Sequence, residues 1–421
     1  MNRFMKWIQS GASLLVIAAL AVVVATQAAF ALDKVTLKNG EVYEGEILRE
    51  TDSAVWMKRK VGTVEFEEFV LKEEIASIER DVDSSGDGKP ARDGAKDREA
   101  RQRAIASGAT KVAFISLGDK ENNKEMVGMY IYGDALRESM DALLELPEEE
   151  QPDVVVLIVD SGGGYTAETR PLSDVIHNQM KKHFRVAVWV ESAISAASFI
   201  SFNAEEIYMK PEGHIGGTVQ YIMGQGGAKA SEGRELLLVL ETGELISKRG
   251  RRDPLIMRAM QTTGLLTADV NERTGEVKFY DGEGGEHVVS PEGENLTLNA
   301  IDAEFFGVSK GTAATKDELA KAMGLSEWVE VGEVADEVQR RFRDNVKEAE
   351  VRSGAVFAKY QIAFANAVNS GGTDRQREVG IARRYLNQLR SIINRAASFK
   401  KYNGITDEFF REQERLLRSL L

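Results

Sequence analysis

Residues 154–217 read VVVLIVDSGGGYTAETRPLSDVIHNQMKKHFRVAVWVESAISAASFISFNAEEIYMKPEGHIGG, and the order of residue types in this stretch decides the fold. It opens on an apolar run, Val154 to Val159, too short for a helix and rich in β-branched residues, which predicts a strand buried on both faces. Asp160, Ser161 and three glycines come directly after it. A glycine triplet after a buried strand lets the backbone turn sharply, approach a ligand and leave N–H groups pointing outward. Ala167 to Lys182 has the spacing of a helix, and Phe184 to Val190 is a second buried strand. Strand, glycine turn, helix and strand make a βαβ unit, in which ligands sit at the carboxyl ends of the strands. Ser192, Ser195 and Ser198 come just after that second strand, set among alanines. Small residues there let the next helix start tightly against the sheet and leave room for an acyl group beside a nucleophile. Plain close packing of a helix uses the same residues.

This order of motifs, closed by Met209, Pro211, Ile215 and Gly216, resembles the ClpP/crotonase superfamily. Within it the likeness is to membrane-linked serine proteases of the NfeD type, with the signal peptide peptidase SppA more distant. The resemblance runs over residues 109 to 328 and implies an α/β fold with a ClpP/crotonase-like ββα spiral core. It implies Ser195 as nucleophile, Ser198 as the fallback, and an oxyanion hole made by the N–H groups of Gly163, Gly164 and Ala196. That group has a proline where this chain has Gly162, a departure that loosens the turn without removing its N–H groups. The resemblance also implies a serine–lysine dyad, whose lysine must be stripped of water so that its amine is neutral. In the NfeD pattern the lysine begins a helix that ends in a basic-glycine-arginine turn, here Lys248 to Arg251. Counting back by the family spacing reaches Gly233 and Arg234, and neither can act as a base. Lys229 stands one helical turn earlier and serves if the helix is longer by four residues; a solvated Lys229 is the ordinary alternative, and Lys210 is a weaker candidate. The four histidines, His177, His183, His214 and His287, do not support a ClpP-type triad, whose histidine falls nearer Thr218.

A chain of 421 residues has room for two or three domains, and 43% hydrophobic residues allow a full core. The formal charge of −13 argues against a nucleic-acid partner, since phosphate binding needs a clustered basic excess. With no cysteine there can be no disulfide, thiolate catalysis or Cys-ligated zinc, and no metal site or cofactor is expected. Residues from Asp81 partly imitate a calcium loop, but Arg92 stands where a bidentate glutamate is needed.

Residues 1–31 combine Arg3 and Lys6, an apolar stretch from Leu14 to Val24 and an Ala29-Phe30-Ala31 ending, the pattern of a secretory signal peptide. The minority alternative is an uncleaved segment that tethers the chain to a membrane. Export, periplasmic or extracellular, is therefore expected. Residues 33–80 alternate apolar and polar side chains, with turns at Asn39-Gly40 and Val61-Gly62, and predict a small all-β barrel of the Sm-like or SH3-like kind. Residues 81–108 are a polar linker. Residues 109–330 form the protease-like domain, opening with a strand within Lys111 to Leu117 and a helix over Ala135 to Leu146. A hairpin over Asp269 to Val289 comes later, then the closing pattern Leu296-Thr297-Leu298, Ala300, Ala303 and Gly307, and a Thr315/Glu318 capping box. Residues 331–421 are helical, with breaks at Asn369 to Gly372 and Asn403-Gly404, and with Thr373 and Gln376 capping the middle helix.

Together these readings describe an exported serine endopeptidase-like protein and homo-oligomer acting on a peptide or protein substrate, membrane proteins among them. The alternative is a catalytically inactive scaffold or peptide-binding protein of the same fold, favoured by the missing lysine and by Gly162. A crotonase-type acyl-CoA enzyme stands third, because export separates the chain from coenzyme A.

Overall fold

The computed structural model describes residues 33–38, 42–50, 54–61, 64–72, 75–79, 94–224 and 227–421. The expected signal peptide, the turns at Asn39-Gly40 and after Val61, and the calcium-like text from Asp81 to Arg92 lie outside these residues. The chain divides into two compact units, with the boundary between Asp97 and Arg98.

The first unit contains five antiparallel strands: Asp33–Leu37, Val42–Glu50, Ala54–Val61, Val64–Leu71 and Ile75–Glu79. Counted in chain order they lie side by side as 4-3-2-1-5, the last strand returning to place Ile78 opposite Val35. Val35, Leu37, Val55, Met57 and Val70 are buried together, as period-two alternation requires. The described pairings make an open sheet, and closure of the expected barrel between the fourth and fifth strands is not among them.

Residues 94–106, inside the stretch read as a linker, form a helix, Gly94–Ala106. A composition too polar to build a core can still favour a helix when it is rich in Ala, Arg, Lys and Glu.

The second unit is built on a six-stranded sheet in the order Thr297–Asn299, Glu206–Gly216, Arg185–Ile194, Val154–Ser161, Thr110–Leu117, Trp328–Glu330. All neighbours run parallel except the edge pair formed by Thr297–Asn299 and Glu206–Gly216. The apolar run from Val154 to Val159 lies in its middle. Val155, Leu157 and Val159 join one core, while Val154 and Val156 join Phe114, Trp189 and Tyr208 on the opposite face. Register shifts fall at one level in two strands, between Val159 and Asp160 and between Val190 and Ser192. Such irregularities bend a strand and re-aim the residues beyond the bend. Here those residues are the glycine turn and Ser195.

The helix expected over residues 167–182 is divided into a 3₁₀ turn Thr166–Glu168, a helix Thr169–Val175, a π turn Ile176–Met180 and a last turn Lys181–His183. The expected hairpin gains a third strand: Leu266–Asn271 pairs with both Glu276–Asp281 and His287–Ser290. Thr315 accepts the Glu318 N–H at 3.2 Å as the capping box predicts, and Glu318 reaches back to the Ala314 N–H at 2.7 Å.

Four helices complete the unit: Glu333–Asn369, Gly372–Arg395, Ala397–Tyr402 and Asp407–Ser419. The expected Thr373/Gln376 cap does not form, because the helix already starts at Gly372 with Gly371 as its side-chain-less cap. Glu333–Asn369 runs along the sheet edge. Arg343 donates to the Ser116 carbonyl at 2.7 Å, Gln339 to Ser139 at 2.9 Å, and Ser139 to the Ala335 carbonyl at 2.8 Å. These helices bury Val346, Tyr360, Leu386 and Ile393 in one core with Met129, Tyr130, Tyr132 and Ala135. Among the described residues no helix is long and apolar enough to cross a membrane.

Candidate active site

The strand Arg185–Ile194 ends at Ser195, whose φ of 57° and ψ of −124° lie outside the regions that residues with a Cβ normally occupy. Ala196 begins the next helix, Ala196–Ser201. Such a strand-to-helix elbow projects a side chain off the end of the sheet. The Ser195 backbone is held by its N–H, which donates to the Gly216 carbonyl at 2.9 Å. Its side chain is half-buried, and its hydroxyl makes no hydrogen bond among the described residues. Ala193, Ala196 and Ala197 are fully buried around it, which accounts for the small residues noted in the sequence.

The glycine turn lies directly against this serine. A Cβ on Gly163 would fall 2.5 Å from the Ser195 Cβ and 3.0 Å from its Oγ. Gly163 and Gly164 also have φ of 102° and 154°, so a side chain at either is strained whatever the space.

The N–H groups of the turn are not equivalent. Gly162 donates to the Glu125 carboxylate at 2.7 Å, and Gly163 donates to Ser161 Oγ at 3.0 Å, while that hydroxyl donates to the Glu125 carbonyl at 2.6 Å. The N–H groups of Gly164 and Ala196 have no acceptor among the described residues. Of the three expected oxyanion donors, Gly163 therefore spends its hydrogen on the turn itself. Glu125 carries no motif, and its part in the turn arises from a contact across 37 positions, so only the fold reveals it.

Ser198, the fallback nucleophile, is fully buried. Its hydroxyl donates to the Ala193 carbonyl at 2.6 Å and accepts the Gly216 N–H at 3.0 Å. It holds the elbow to the neighbouring strand and is sealed from any substrate.

Lys229 lies in the strand Gly227–Ala230, paired with Tyr221–Gly224, and the helix of residues 233–249 begins only at Gly233. The expected four-residue extension does not form because Gly233, with φ of 58°, and the extended Glu232 interrupt the helical path. The Lys229 amine pairs with Glu232 at 3.1 Å and its side chain is 74% exposed. A lysine becomes a base where burial strips water from its amine; Lys229 is not so placed in this arrangement. Lys210 pairs with Glu191 and lies 5.2 Å over the Trp189 ring. It lines an open cavity of about 500 Å³ with Lys120, Asp160 and Glu191. Burial holds the Asp160 carboxyl above the usual range there, against the opposing hydrogen bond from the Lys120 N–H.

The histidines stand apart from the elbow's hydroxyl. His183 and His214 are exposed, and His287 sits edge-on to Phe305. His177 has a buried Nδ1 without a partner among the described residues, and burial, then the charges of Lys181 and Arg249, push its pKa down. Thr218 is buried, its N–H donating to the Met260 carbonyl at 2.7 Å. Beside it, Gln220 donates to Thr166 at 3.0 Å and ties the root of the Tyr221–Ala230 hairpin to the far end of the glycine turn.

Residues 133–289, which include the glycine turn and the elbow, match the family model described as NfeD1b, N-terminal domain. The chain is 27% identical over 183 residues to the membrane protein NfeD1b of Bacillus subtilis (strain 168), the match covering 43% of this chain and only 36% of that relative. Two mutants of the 1510-N membrane-bound stomatin-specific protease, one in complex with a substrate peptide, align at 17% and 18% identity with TM-scores of 0.36, covering 51% of this chain and 84% and 79% of theirs. A ClpP1 mutant from Listeria monocytogenes aligns at 12% identity with a TM-score of 0.28, over 52% of this chain and 99% of its own. The NfeD-type resemblance carried by the sequence motifs is thus found over residues 133–289.

Proposed function

We propose that this chain is an exported serine endopeptidase of the NfeD type, with Ser195 as nucleophile, the Gly164 and Ala196 N–H groups as oxyanion donors and Lys229 as base. The backbone of Ser195 carries the reading. A non-glycine residue held in so sparsely populated a conformation costs on the order of 1–3 kcal/mol, and such residues persist where their surroundings over-determine them, typically at functional sites. Here the strained residue offers an unbonded hydroxyl beside two unused N–H groups. Ser198, three positions on, shows how a serine serves packing without strain.

In the proposed reaction Ser195 Oγ attacks the carbonyl carbon of a peptide bond and gives its proton to the base. The developing oxyanion is held by the two N–H groups, each typically worth 10²–10³ in rate. Collapse expels the amine, which takes the proton back, and water then hydrolyses the acyl ester by the same steps. For Lys229 to act, its hairpin must close over a bound peptide, so that the amine leaves Glu232 and is covered. The substrate is a peptide or protein. The match to a membrane protein supports a site at a membrane surface; membrane proteins as substrates and a homo-oligomeric working form belong to the same proposal.

A fluorophosphonate probe tests the reading directly. Labelling of the full chain that disappears in Ser195→Ala supports it, and loss of labelling in folded Lys229→Ala supports the base. Unchanged labelling in Lys229→Ala discards Lys229. The exposed Lys229–Glu232 pair favours a second reading, a catalytically silent scaffold that binds peptide beside Ser195. Folded protein that takes no label but binds peptide would establish it.

A further inference from the structure

We infer that the carboxyl-terminal helices aim the oxyanion donor, with Tyr402 and Glu168 as positioning residues for the reaction at Ser195; this rests on the reading of Ser195 as the nucleophile. The link starts at one peptide group. The Gly163 carbonyl and the Gly164 N–H belong to the same planar trans peptide and point in opposite directions. Whatever holds the carbonyl therefore sets the direction of the N–H. The holder is Val127, whose N–H donates to the Gly163 carbonyl at 2.9 Å and whose own carbonyl accepts the Tyr165 N–H at 2.9 Å.

Val127 in turn belongs to a segment clamped from its other side by the helices. Ser398 donates to the Met129 carbonyl at 2.6 Å. Tyr130 hydrogen-bonds Glu350, and Tyr132 stacks on Phe342 at 5.9 Å and 4°. Tyr165, the residue after Gly164, stacks on Tyr402 at 4.3 Å and 12°. Gly128 is pressed against this pair so closely that a Cβ would come within 2.9 Å of Tyr165 and 3.1 Å of Tyr402.

Glu168 locks the arrangement. It is 1% exposed, and its carboxylate accepts the Gly133 N–H at 3.0 Å, the Lys401 amine at 2.8 Å and the Tyr402 hydroxyl at 2.8 Å. Three donors, one from Gly133 and two from the end of helix Ala397–Tyr402, satisfy one buried charge, which is what makes a buried carboxylate tolerable. A shift of Ala397–Tyr402 must break these bonds or drag the Val127 segment with it, and either change turns the Gly163–Gly164 peptide. An oxyanion donor acts only within hydrogen-bond geometry, so Tyr402 reaches Ser195 through that peptide without touching substrate.

The test compares full-length Tyr402→Ala and Tyr402→Phe by the rate of fluorophosphonate labelling and by amide hydrogen exchange. Tyr402→Ala loses the stack and one bond to Glu168, and should label roughly ten- to a hundredfold more slowly while remaining folded. The Val127 and Tyr165 amides should exchange faster. Tyr402→Phe keeps the stack and should recover most of the rate, a rescue that a general loss of stability would not produce. Folded Tyr402→Ala that labels within about twofold of the parent overturns the inference. If Tyr402→Ala does not fold, Lys401→Met takes its place with the same two readouts. If the parent chain takes no label, the nucleophile reading fails on its own account. The exchange data then decide the mechanical link: faster exchange at Val127 and Tyr165 upholds it, and unchanged exchange overturns it.

Discussion

Ser195 and Ser198 are the same residue type in the same alanine-rich run, and their environments could hardly differ more. One has a positive φ, a hydroxyl with no hydrogen bond among the described residues and partial access to solvent; the other is sealed with its hydroxyl's donor and acceptor both engaged. The run of small residues around the elbow was legible in the sequence, because tight packing demands them. The strain was not, since it depends on Gly163 and on the bond to Gly216. Replacing Ser195 by glycine should abolish fluorophosphonate labelling yet raise thermal stability, by about 1 kcal/mol once the greater freedom of glycine in the unfolded chain offsets part of the relieved strain. A fall in melting temperature for Ser195→Gly would count against the strain argument. Gly163→Ala should act in the opposite sense, lowering both melting temperature and labelling, because its Cβ would push into the Ser195 side chain. His177 gives a pH signature at the same scale. Its folded pKa lies below the ordinary 6.5, so the folded state disfavours protonation relative to the unfolded chain. That stability is present above pH 6.5 and is lost as the pH falls below it. Melting temperature should therefore drop on acidification from pH 6.5, and His177→Gln should flatten that part of the profile.

Elements show where local pattern suffices and where it fails. The buried parallel strands were legible because a strand covered on both faces must be apolar without alternation. The capping box was legible because Thr315 and Glu318 act locally, and Thr315→Ala should cost about 1 kcal/mol in thermal or urea unfolding. Counting by the family spacing lands on Gly233, where the helix does start; the four-residue extension that would carry Lys229 fails because of the positive φ of Gly233, which no count reveals. The basic-glycine-arginine turn that ends the same helix was legible as a motif, and its cause is packing. Gly250 lies against the Phe202 carbonyl, where any Cβ would collide with backbone oxygen, and Arg252 donates to the carbonyls of Val308 at 2.9 Å and Ala204 at 3.1 Å. Burial pulls the Arg252 guanidinium down to about 10, still charged at neutral pH. The turn therefore pins helix Gly233–Arg249 to the end of helix Ala196–Ser201, and so to the elbow's own scaffold.

At the scale of the molecule, the sequence reads as a protease-like domain ending near residue 330 and a helical tail that could pack on that domain or assemble subunits, and residues 98–421 form one compact unit. The reason is that the tail is not amphipathic toward itself alone. Its apolar face covers Met129, Tyr130, Tyr132 and Ala135, and the long helix Glu333–Asn369 closes the sheet edge beside Thr110–Leu117. Pairing of faces so far apart in the chain leaves no local mark in either segment. A chain ending at Leu325 would expose those side chains, each worth about 1.5–3 kcal/mol when large and apolar. The same cut removes Trp328–Glu330 from the central sheet and the Ser398 bond from Met129. Against a net stability of about 5–15 kcal/mol for a typical domain, that loss is enough to prevent folding. The truncated chain should therefore bind a hydrophobic dye, show no cooperative melt and take no fluorophosphonate label. A chain starting at Arg98 keeps the sheet, the elbow and the helices with their shared cores, and should melt cooperatively and label at the parent rate. A soluble, cooperatively melting chain that ends at Leu325 would mean that the helices are an appendage and that the glycine turn holds its shape without them.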